Sequence, residues 1–392
     1  MQRLLKMNSI IIGFFSWLFS LFLFSPRLTL FLGEGSGTTR RDDILAQCID
    51  PFTKNLKEPI LAYRLVQPSI AKALGWCGER REILALLGSP GIAYIALIST
   101  LVVFNFSLKK RFSKSLSLLT TFGLATTHLT QWVNTHWGHP DSLTFFPISL
   151  LMISRHPMLI IVATAIGCIN DERIILSLPF ILLWWWPKKE SWREILQNIF
   201  PLIFSFFIGI AVAIFVKISL QHGLIGPGIF EPYEVENINN YVRILNPSSW
   251  FSLFIMTFLG YRWFWTVPIL ALIVLLKDKV SIRSFIFIFS SGISILATFT
   301  VADVSRSTAF FFPMIPVAIE ILKDRNNWSD SKLKLWLSWI IGLNILTPAL
   351  KVYGVPPDWW AINPLEWATP ALPLPLNLWK WFTSPNGAIT CR

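Results

Sequence analysis

Charged side chains are scarce in this chain. Lys, Arg, Asp and Glu make up 14% of its 392 residues, whereas about a quarter is usual for a soluble domain. Hydrophobic residues make up 53% and the mean hydropathy is +0.56. This composition excludes the soluble enzymes and indicates an integral membrane protein.

Cysteine is also rare, with four residues and no CxxC pair. No zinc or redox motif is present, and we expect no metal ligand set. Cys48 and Cys77 share one hydrophilic segment and would form a disulfide in an oxidising compartment. The sequence alone favours two unlinked thiols.

Positive charge is plentiful, with a formal net charge of +12. Most Lys and Arg residues fall in short loops between apolar segments, which is typical of membrane orientation. Nucleic acid is therefore not an expected partner.

Apolar runs long enough to cross about 30 Å of hydrocarbon recur along the chain. They predict an all-α, polytopic transmembrane helix bundle with about ten or eleven spans. The expected spans are residues 8–24, 84–106, 116–133, 142–153, 158–169, 174–186, 199–220, 285–302, 308–322 and 335–350, with 250–276 split near 261 into a partly inserted helix and a span.

The transmembrane domain is expected over residues 1–350, with a long first outer loop at about 33–83. The Trp- and Pro-rich tail, 351–392, is too broken by proline to be another span. Arg3 and Lys6 precede the first apolar run like the start of a signal peptide. No small-residue cleavage site follows, so this run is expected to be a retained span.

Placing the N-terminus in the cytoplasm makes the loops alternate consistently. The basic residues then expected inside are Lys109, Lys110, Arg111, Lys114, Arg155, Lys188, Lys189, Arg193, Lys277, Lys279, Arg283, Lys323, Arg325, Lys332 and Lys334.

Polar residues of four separate segments then collect at the outer face. Charges between closely packed spans usually mark a site or a paired structural charge. The candidates are Asp42, Asp43, Tyr63 and Arg64; His139 and Asp141; Asp171, Glu172 and Arg173; and Asp303 and Arg306.

Each segment also has a structural interpretation. Asp42–Asp43 would be a solvated charge run, Asp141 a helix cap, Asp171–Arg173 a polar turn with an internal ion pair, and Asp303–Arg306 a pair one turn apart. Because four segments deliver such groups to one face, we expect them to line a common outward cavity.

The pattern resembles the polytopic GT-C glycosyltransferases. The features are the acidic pair Asp42–Asp43, the run DPFTKNLKEPILAYRLVQPSIAKALGW from Asp50, and NDERIILSLP from Asn170. The resemblance covers about residues 1–190 and is with an uncharacterised bacterial subgroup.

This resemblance implies transfer of a sugar from a polyprenyl-phosphate donor to a lipid or glycan acceptor, at the outer face of a bacterial inner (cytoplasmic) membrane. Asp43 or Asp42 would be the general base that deprotonates the acceptor hydroxyl. Arg64, Arg173 and Arg306 would bind the lipid phosphate.

The remaining candidates would contact the sugar or donor: Tyr63, His139, Asp141, Asp171, Glu172 and Asp303. Of these, Glu172, Asp141 and His139 would orient sugar hydroxyls or hold a divalent cation. No other cofactor is implied. The competing classes are a transporter or flippase, which would show internal repeats, and a lipid-linked glycan ligase or polymerase.

Overall fold

The computed structural model describes residues 2–24, 48, 51, 64–77, 89–135, 139–187, 191–226, 250–277, 281–299 and 304–347. These residues are almost entirely helical, and no strand occurs among them. The predicted all-α class is confirmed.

The first half of the chain contributes eight α-helices to the described part. They are α1 (Gln2–Leu23), α2 (Val66–Ala73), α3 (Ser89–Leu108), α4 (Lys114–Ala125), α5 (His128–Thr135), α6 (Ser142–Leu151), α7 (Pro157–Asn170) and α8 (Leu178–Trp184). A 3₁₀ turn, Glu172–Ser177, leads into α8.

The second half contributes seven more. They are α9 (Trp192–Gln221), α10 (Trp250–Tyr261), α11 (Thr266–Lys277), α12 (Ile282–Phe299), α13 (Val304–Thr308), α14 (Met314–Asn326) and α15 (Asp330–Leu346). The 3₁₀ turns Arg262–Trp265 and Ala309–Phe311 connect α10 to α11 and α13 towards α14.

Within the described residues, four helical stretches are long and apolar enough to cross a membrane: Gly91–Leu108, Trp192–Gln221, Leu253–Lys277 and Ile282–Phe299. A fifth is added if α13 with its 3₁₀ turn and α14, bent by 54°, form one span. The helices Asn8–Leu23, Ser142–Leu151 and Pro157–Asn170 are apolar but shorter. The fold is that of a multi-pass membrane protein. Among the described residues, four or five of the ten or eleven expected spans are full-length, and shorter apolar helices accompany them.

The outer surface of α9 shows what surrounds the bundle. Phe200, Phe204 and Phe215 are 61%, 59% and 67% exposed. In contrast, six polar side chains of α3 and α4 are fully buried: Thr100, Asn105, Ser107, Ser117, Thr120 and Thr121. Apolar rings outside and hydrogen-bonded polar groups inside suit a hydrocarbon solvent, in which unpaired polar groups are costly.

The span expected at residues 116–133 is wrong as a single helix, because the chain breaks between α4 and α5. The hydroxyls of Thr126 and Thr127 donate to the carbonyl oxygens of Gly123 and Leu124, each at 2.7 Å. These bonds satisfy carbonyls at the end of α4 that a continuing helix would have used.

One further expectation needs correction. The stretch expected at 174–186 begins as a 3₁₀ turn and becomes α-helical at Leu178. The stretch 250–276 is divided near residue 261 as expected, because α10 ends at Tyr261 and a 3₁₀ turn begins at Arg262. Together, Leu253–Lys277 is also long and apolar enough to cross a membrane as one unit.

The basic loops gather at one end of the bundle. Lys109 Nζ donates to Ser9 Oγ near the start of α1 at 3.0 Å, and Lys110 Nζ donates to the Ile153 carbonyl at 2.8 Å. At the same end Glu320 pairs with Arg111 at 3.0 Å and with Arg283 at 2.9 Å. At the opposite end of α1, Asn134 Nδ2 donates to Ser20 Oγ at 2.8 Å.

Cys48 and Cys77 form a disulfide, so the expectation of two unlinked thiols is wrong. Cys48 is fully buried in a small apolar cluster that also contains Ala71, Ile92 and Leu143. The disulfide and this cluster hold α2 against α3 and α6. Spacing along the sequence carries no signal for that packing.

Arg262 is a buried cation at the break between α10 and α11, 1% exposed and with a positive φ of 55°. Its guanidinium donates to the Asn344 carbonyl at 3.0 Å and to Gln131 Oε1 at 2.7 Å, and lies over the ring of Phe24. No carboxylate of the described residues pairs with it. The negative end of the α15 dipole compensates its charge instead.

Replacing Arg262 with Ala should lower the free energy of unfolding by about 2–4 kcal/mol, because α15 loses its charged C-terminal hydrogen bonds. Thermal unfolding in detergent measures the loss. Arg193→Ala is the matched control, since Arg193 is an exposed arginine at the start of α9. Equal midpoints for the two variants would contradict this role of Arg262.

Candidate functional site

Four chain segments meet at the end of the bundle opposite the basic loops. We call the five charged residues that meet there the ion-pair cluster: Arg64, Asp141, Asp171, Arg173 and Arg306. Arg64 precedes α2, Asp141 precedes α6, Asp171 follows α7, Arg173 lies in the first 3₁₀ turn and Arg306 lies in α13. The convergence expected from the sequence is therefore observed for these residues.

Asp141 is the most buried member, with a fully inaccessible side chain. Arg306 forms a bidentate ion pair with Asp141. Its Nη2 donates to Oδ1 at 2.9 Å, and its Nε donates to Oδ2. Arg64 Nη1 approaches the same carboxylate at 3.5 Å. The capping interpretation of Asp141 is wrong, because its side chain makes no capping hydrogen bond to α6.

Asp171 forms the second half of the cluster. Its Oδ1 accepts from Arg173 Nε at 2.8 Å, and its Oδ2 accepts from Arg64 Nη2 at 2.9 Å. Oδ1 also accepts from the backbone N–H of Arg173 at 3.1 Å, which caps the 3₁₀ turn. The internal ion pair expected for this turn is present, but it is shared with a distant arginine.

The surroundings of these groups keep both carboxylates ionised. Burial alone would raise the pKa of Asp141, but the charge of Arg306 outweighs it and holds that pKa well below its ordinary value. Burial would also raise the pKa of Asp171. The charges of Arg173 and Arg64 outweigh that effect, so the pKa of Asp171 is lowered as well. Charged partners at this distance favour the charged form.

His139 lies beside the cluster, with its Nδ1 3.1 Å from Asp141 Oδ1. Burial lowers the pKa of His139 to about 3, against the opposing charge of Asp141. The imidazole is therefore neutral at pH 7. Among the described residues, three guanidinium groups of the cluster then face two carboxylates.

Two of the arginines in the cluster pack against aromatic rings. The guanidinium of Arg173 lies 4.4 Å from the ring centre of Phe310, and that of Arg306 lies 5.4 Å from Trp132. Arg173 Nη1 also donates to Ser307 Oγ at 2.9 Å. The sequence analysis missed Trp132, Ser307 and Phe310, whose contacts depend on packing between distant segments.

Glu172 does not join the cluster. Its side chain is 70% exposed, and its Oε2 lies 2.7 Å from Lys217 Nζ near the C-terminal end of α9. The expected grouping of Glu172 with Asp141 and His139 is therefore wrong. Lys217 was missed, although a lysine within an apolar span is a recognisable signal.

Four of the sequence candidates lie outside the described residues. They are Asp42, Asp43, Tyr63 and Asp303. Within the described part of the chain, no three His, Cys, Asp or Glu side chains are grouped so that they could hold a metal ion.

Comparison with models of protein families, with curated proteins and with solved structures finds no match to this chain. What the site can do therefore follows from its own geometry.

That geometry suits an anion more than a cation. Arg64 and Arg173 retain 11% and 13% of their side-chain exposure, whereas Asp141 and Asp171 retain almost none. The accessible side of the cluster is thus its cationic side. Planar guanidinium groups recognise phosphate and carboxylate with paired hydrogen bonds.

Replacing Asp171 with Asn should cost about 3–5 kcal/mol of stability, because it leaves Arg64 and Arg173 buried with one carboxylate fewer. The neighbouring Glu172→Gln should cost less than about 1 kcal/mol, since its ion pair is solvated. Thermal or denaturant unfolding of the two variants in one detergent gives the comparison. If the costs are alike, the cluster does not contribute to stability as described.

Proposed function

We propose that this protein is a membrane glycosyltransferase of the GT-C type. It transfers a sugar from a polyprenyl-phosphate donor to a lipid or glycan acceptor at the outer face of the membrane. The observation that carries the proposal is the ion-pair cluster, which presents Arg64 and Arg173 at the end of the bundle away from the basic loops.

The cluster meets the main electrostatic demand of such a reaction. When the sugar leaves, negative charge grows on the lipid phosphate, and fixed guanidinium groups stabilise that charge without reorganising. Asp141 and Asp171 hold Arg306 and Arg173 in place. This arrangement supports a positioning role for both carboxylates rather than the sugar contact expected from the sequence.

The general base is then a different carboxylate. Asp141 and Asp171 have lowered pKa values and use their oxygens on arginines, so they are poor proton acceptors. Asp43 or Asp42 is the proposed base, next to Arg40 and Arg41 in the first outer loop.

The proposed orientation puts the N-terminus in the cytoplasm and the ion-pair cluster outside. Two independent features support it. The basic loops lie at the end where α1 begins, in agreement with the positive-inside rule. The Cys48–Cys77 disulfide belongs to the segment that delivers Arg64 to the cluster, and disulfides persist outside the reducing cytosol.

A transporter is the second candidate, because Arg262 lies at a break in Leu253–Lys277 and contacts Gln131 beyond the α4–α5 break. Broken helices with polar groups inside the bundle are typical of transport sites. One feature favours the enzyme: the hydrogen bonds of Arg262 cap α15.

Reporter fusions test the orientation. Fusions at Lys110, Lys188 and Lys279 should report the cytoplasm, and fusions at Asp50 and Gln221 the outside. A robust reversal at any one of these positions would place the ion-pair cluster on the wrong face for an external lipid-linked donor.

Transfer of labelled sugar from a polyprenyl-phosphate donor, in membranes with matched protein abundance, tests the activity. Asp42→Asn and Asp43→Asn are tested singly and together. The single variant that removes the base, and the double variant, should lower the transfer rate about 10²–10⁴-fold, with donor binding retained. Arg173→Gln should weaken donor binding as well, because the phosphate loses a charge-assisted partner.

Glu172→Gln is the control for this series, as its side chain points away from the cluster to Lys217. Its transfer rate should stay within about twofold of the unmodified protein. Unchanged transfer in the Asp42/Asp43 double variant would remove the proposed base. Uptake of a soluble solute without any sugar transfer would favour the transporter.

A further inference from the structure

Two cations meet at the loop between α6 and α7, at the end of the bundle where the basic loops gather. Lys110, which follows α3, donates from Nζ to the Ile153 carbonyl of this loop at 2.8 Å. Arg155 donates from Nη1 to Asn198 Oδ1 at 2.6 Å and from Nη2 to the Trp185 carbonyl at 3.2 Å. Because two residues of extended chain span at most about 7 Å, both contacts belong to one short segment.

Aromatic rings help to hold these two side chains in place. The guanidinium of Arg155 lies 4.8 Å from the ring centre of Trp185, and Lys110 Nζ lies 5.2 Å from that of Phe106. The hydrogen-bond acceptors of both cations are neutral amide and carbonyl oxygens. Both residues are nevertheless exposed. The contacts therefore fix where the charges lie without neutralising them.

Other arginines at the same end of the bundle do have a carboxylate. Glu320 accepts from Arg111 at 3.0 Å and from Arg283 at 2.9 Å. Among the residues that the structure describes, no Asp or Glu forms an ion pair with Lys110 or Arg155. The difference separates the loop between α6 and α7 from the rest of the basic surface.

Partial burial acts on these two charges without an anion to oppose it. It lowers the pKa of Lys110 and that of Arg155, and no carboxylate in the described part of the chain raises either. Glu194 lies one turn before Asn198 in α9, but it makes no ion pair with Arg155. An anion beside this loop would gain two charge-assisted hydrogen-bond donors.

The surface next to the two cations is apolar. The helices α7 and α9 begin beside this loop and pack against each other. Met158 on α7 and Leu196 and Phe200 on α9 are exposed near these ends. Trp192, at the start of α9, is also exposed, and such a tryptophan is typical of the level of lipid head groups. A free phosphate ion would leave this apolar surface uncovered, whereas the acyl chains of a phospholipid would cover it.

We propose that Lys110 and Arg155 form a binding site for the head group of an acidic phospholipid, whose acyl chains lie on the exposed apolar face of α7 and α9. Basic groups between the ends of membrane spans recognise acidic head groups, and each one strengthens binding about fivefold. The site lies at the opposite end of the bundle from the ion-pair cluster. It is independent of the proposed sugar transfer.

Native mass spectrometry of the full-length protein, delipidated in detergent, resolves individual bound lipids and tests the site. The probes are phosphatidylglycerol and phosphatidylcholine with the same acyl chains. The first phosphatidylglycerol should bind about 20-fold more tightly than the first phosphatidylcholine, because two cations act on its phosphate and the zwitterionic head group cancels much of that attraction. Inorganic phosphate and glycerophosphoglycerol, which lack acyl chains, should not displace it.

Two double variants with the same loss of charge locate the binding. Lys110→Gln with Arg155→Gln should lower the affinity for phosphatidylglycerol about 20-fold. Lys277→Gln with Lys332→Gln removes two exposed lysines from the same end of the bundle, on α11 and α15, and should change it less than twofold. Lys110→Gln alone keeps the bonds of Arg155 to α8 and α9, and should lower the affinity about fivefold even if the double variant is unstable.

Equal affinity for the two phospholipids would overturn the proposal, as would equal losses in the two double variants. Unchanged binding of phosphatidylglycerol to Lys110→Gln would do the same. Displacement by inorganic phosphate or glycerophosphoglycerol would show an anion site that makes no use of the apolar face of α7 and α9, and would exclude a phospholipid as the specific ligand.

Discussion

The mutual neutralisation of three arginines and two aspartates is the interaction on which this end of the molecule depends. Burying any one of these charges alone would cost several kcal/mol. Arg64, Asp141, the Asp171–Arg173 turn and Arg306 must therefore meet, although they lie far apart in the sequence. Their pairing fixes the starts of α2 and α6, the end of α7 and the position of α13 relative to one another.

The charges of buried arginines are compensated in two different ways in this bundle. Arg262 is compensated by carbonyl dipoles at the end of α15 and by Gln131, and its side chain is almost inaccessible. In the ion-pair cluster, carboxylates perform this task, and Arg64 and Arg173 stay partly accessible. The first arrangement is closed, whereas the second keeps two guanidinium groups at an accessible surface.

Orientation alone was enough to predict that the polar groups converge, because Lys and Arg counts assign each loop to a face. It could not predict which groups bond. Asp171 and Glu172 are adjacent carboxylates in the sequence. The buried Asp171 nevertheless binds two arginines of the ion-pair cluster, whereas the exposed Glu172 binds Lys217. The break at Thr126–Thr127 and the Cys48–Cys77 disulfide were missed for a similar reason. Hydropathy counts apolar residues and does not register local hydroxyl–carbonyl bonds or tertiary proximity.

The 3₁₀ turn Ala309–Phe311 joins the ion-pair cluster to the apolar core. Phe310 packs against the guanidinium of Arg173, and Phe311 packs against Trp265. Phe312 beside the turn packs on Phe104, and all three phenylalanines are fully buried. A densely packed segment has few alternative positions, so it holds the guanidinium group of Arg173 in a fixed place. The position of the ion-pair cluster therefore depends on the packing of the apolar core as well as on its own ion pairs.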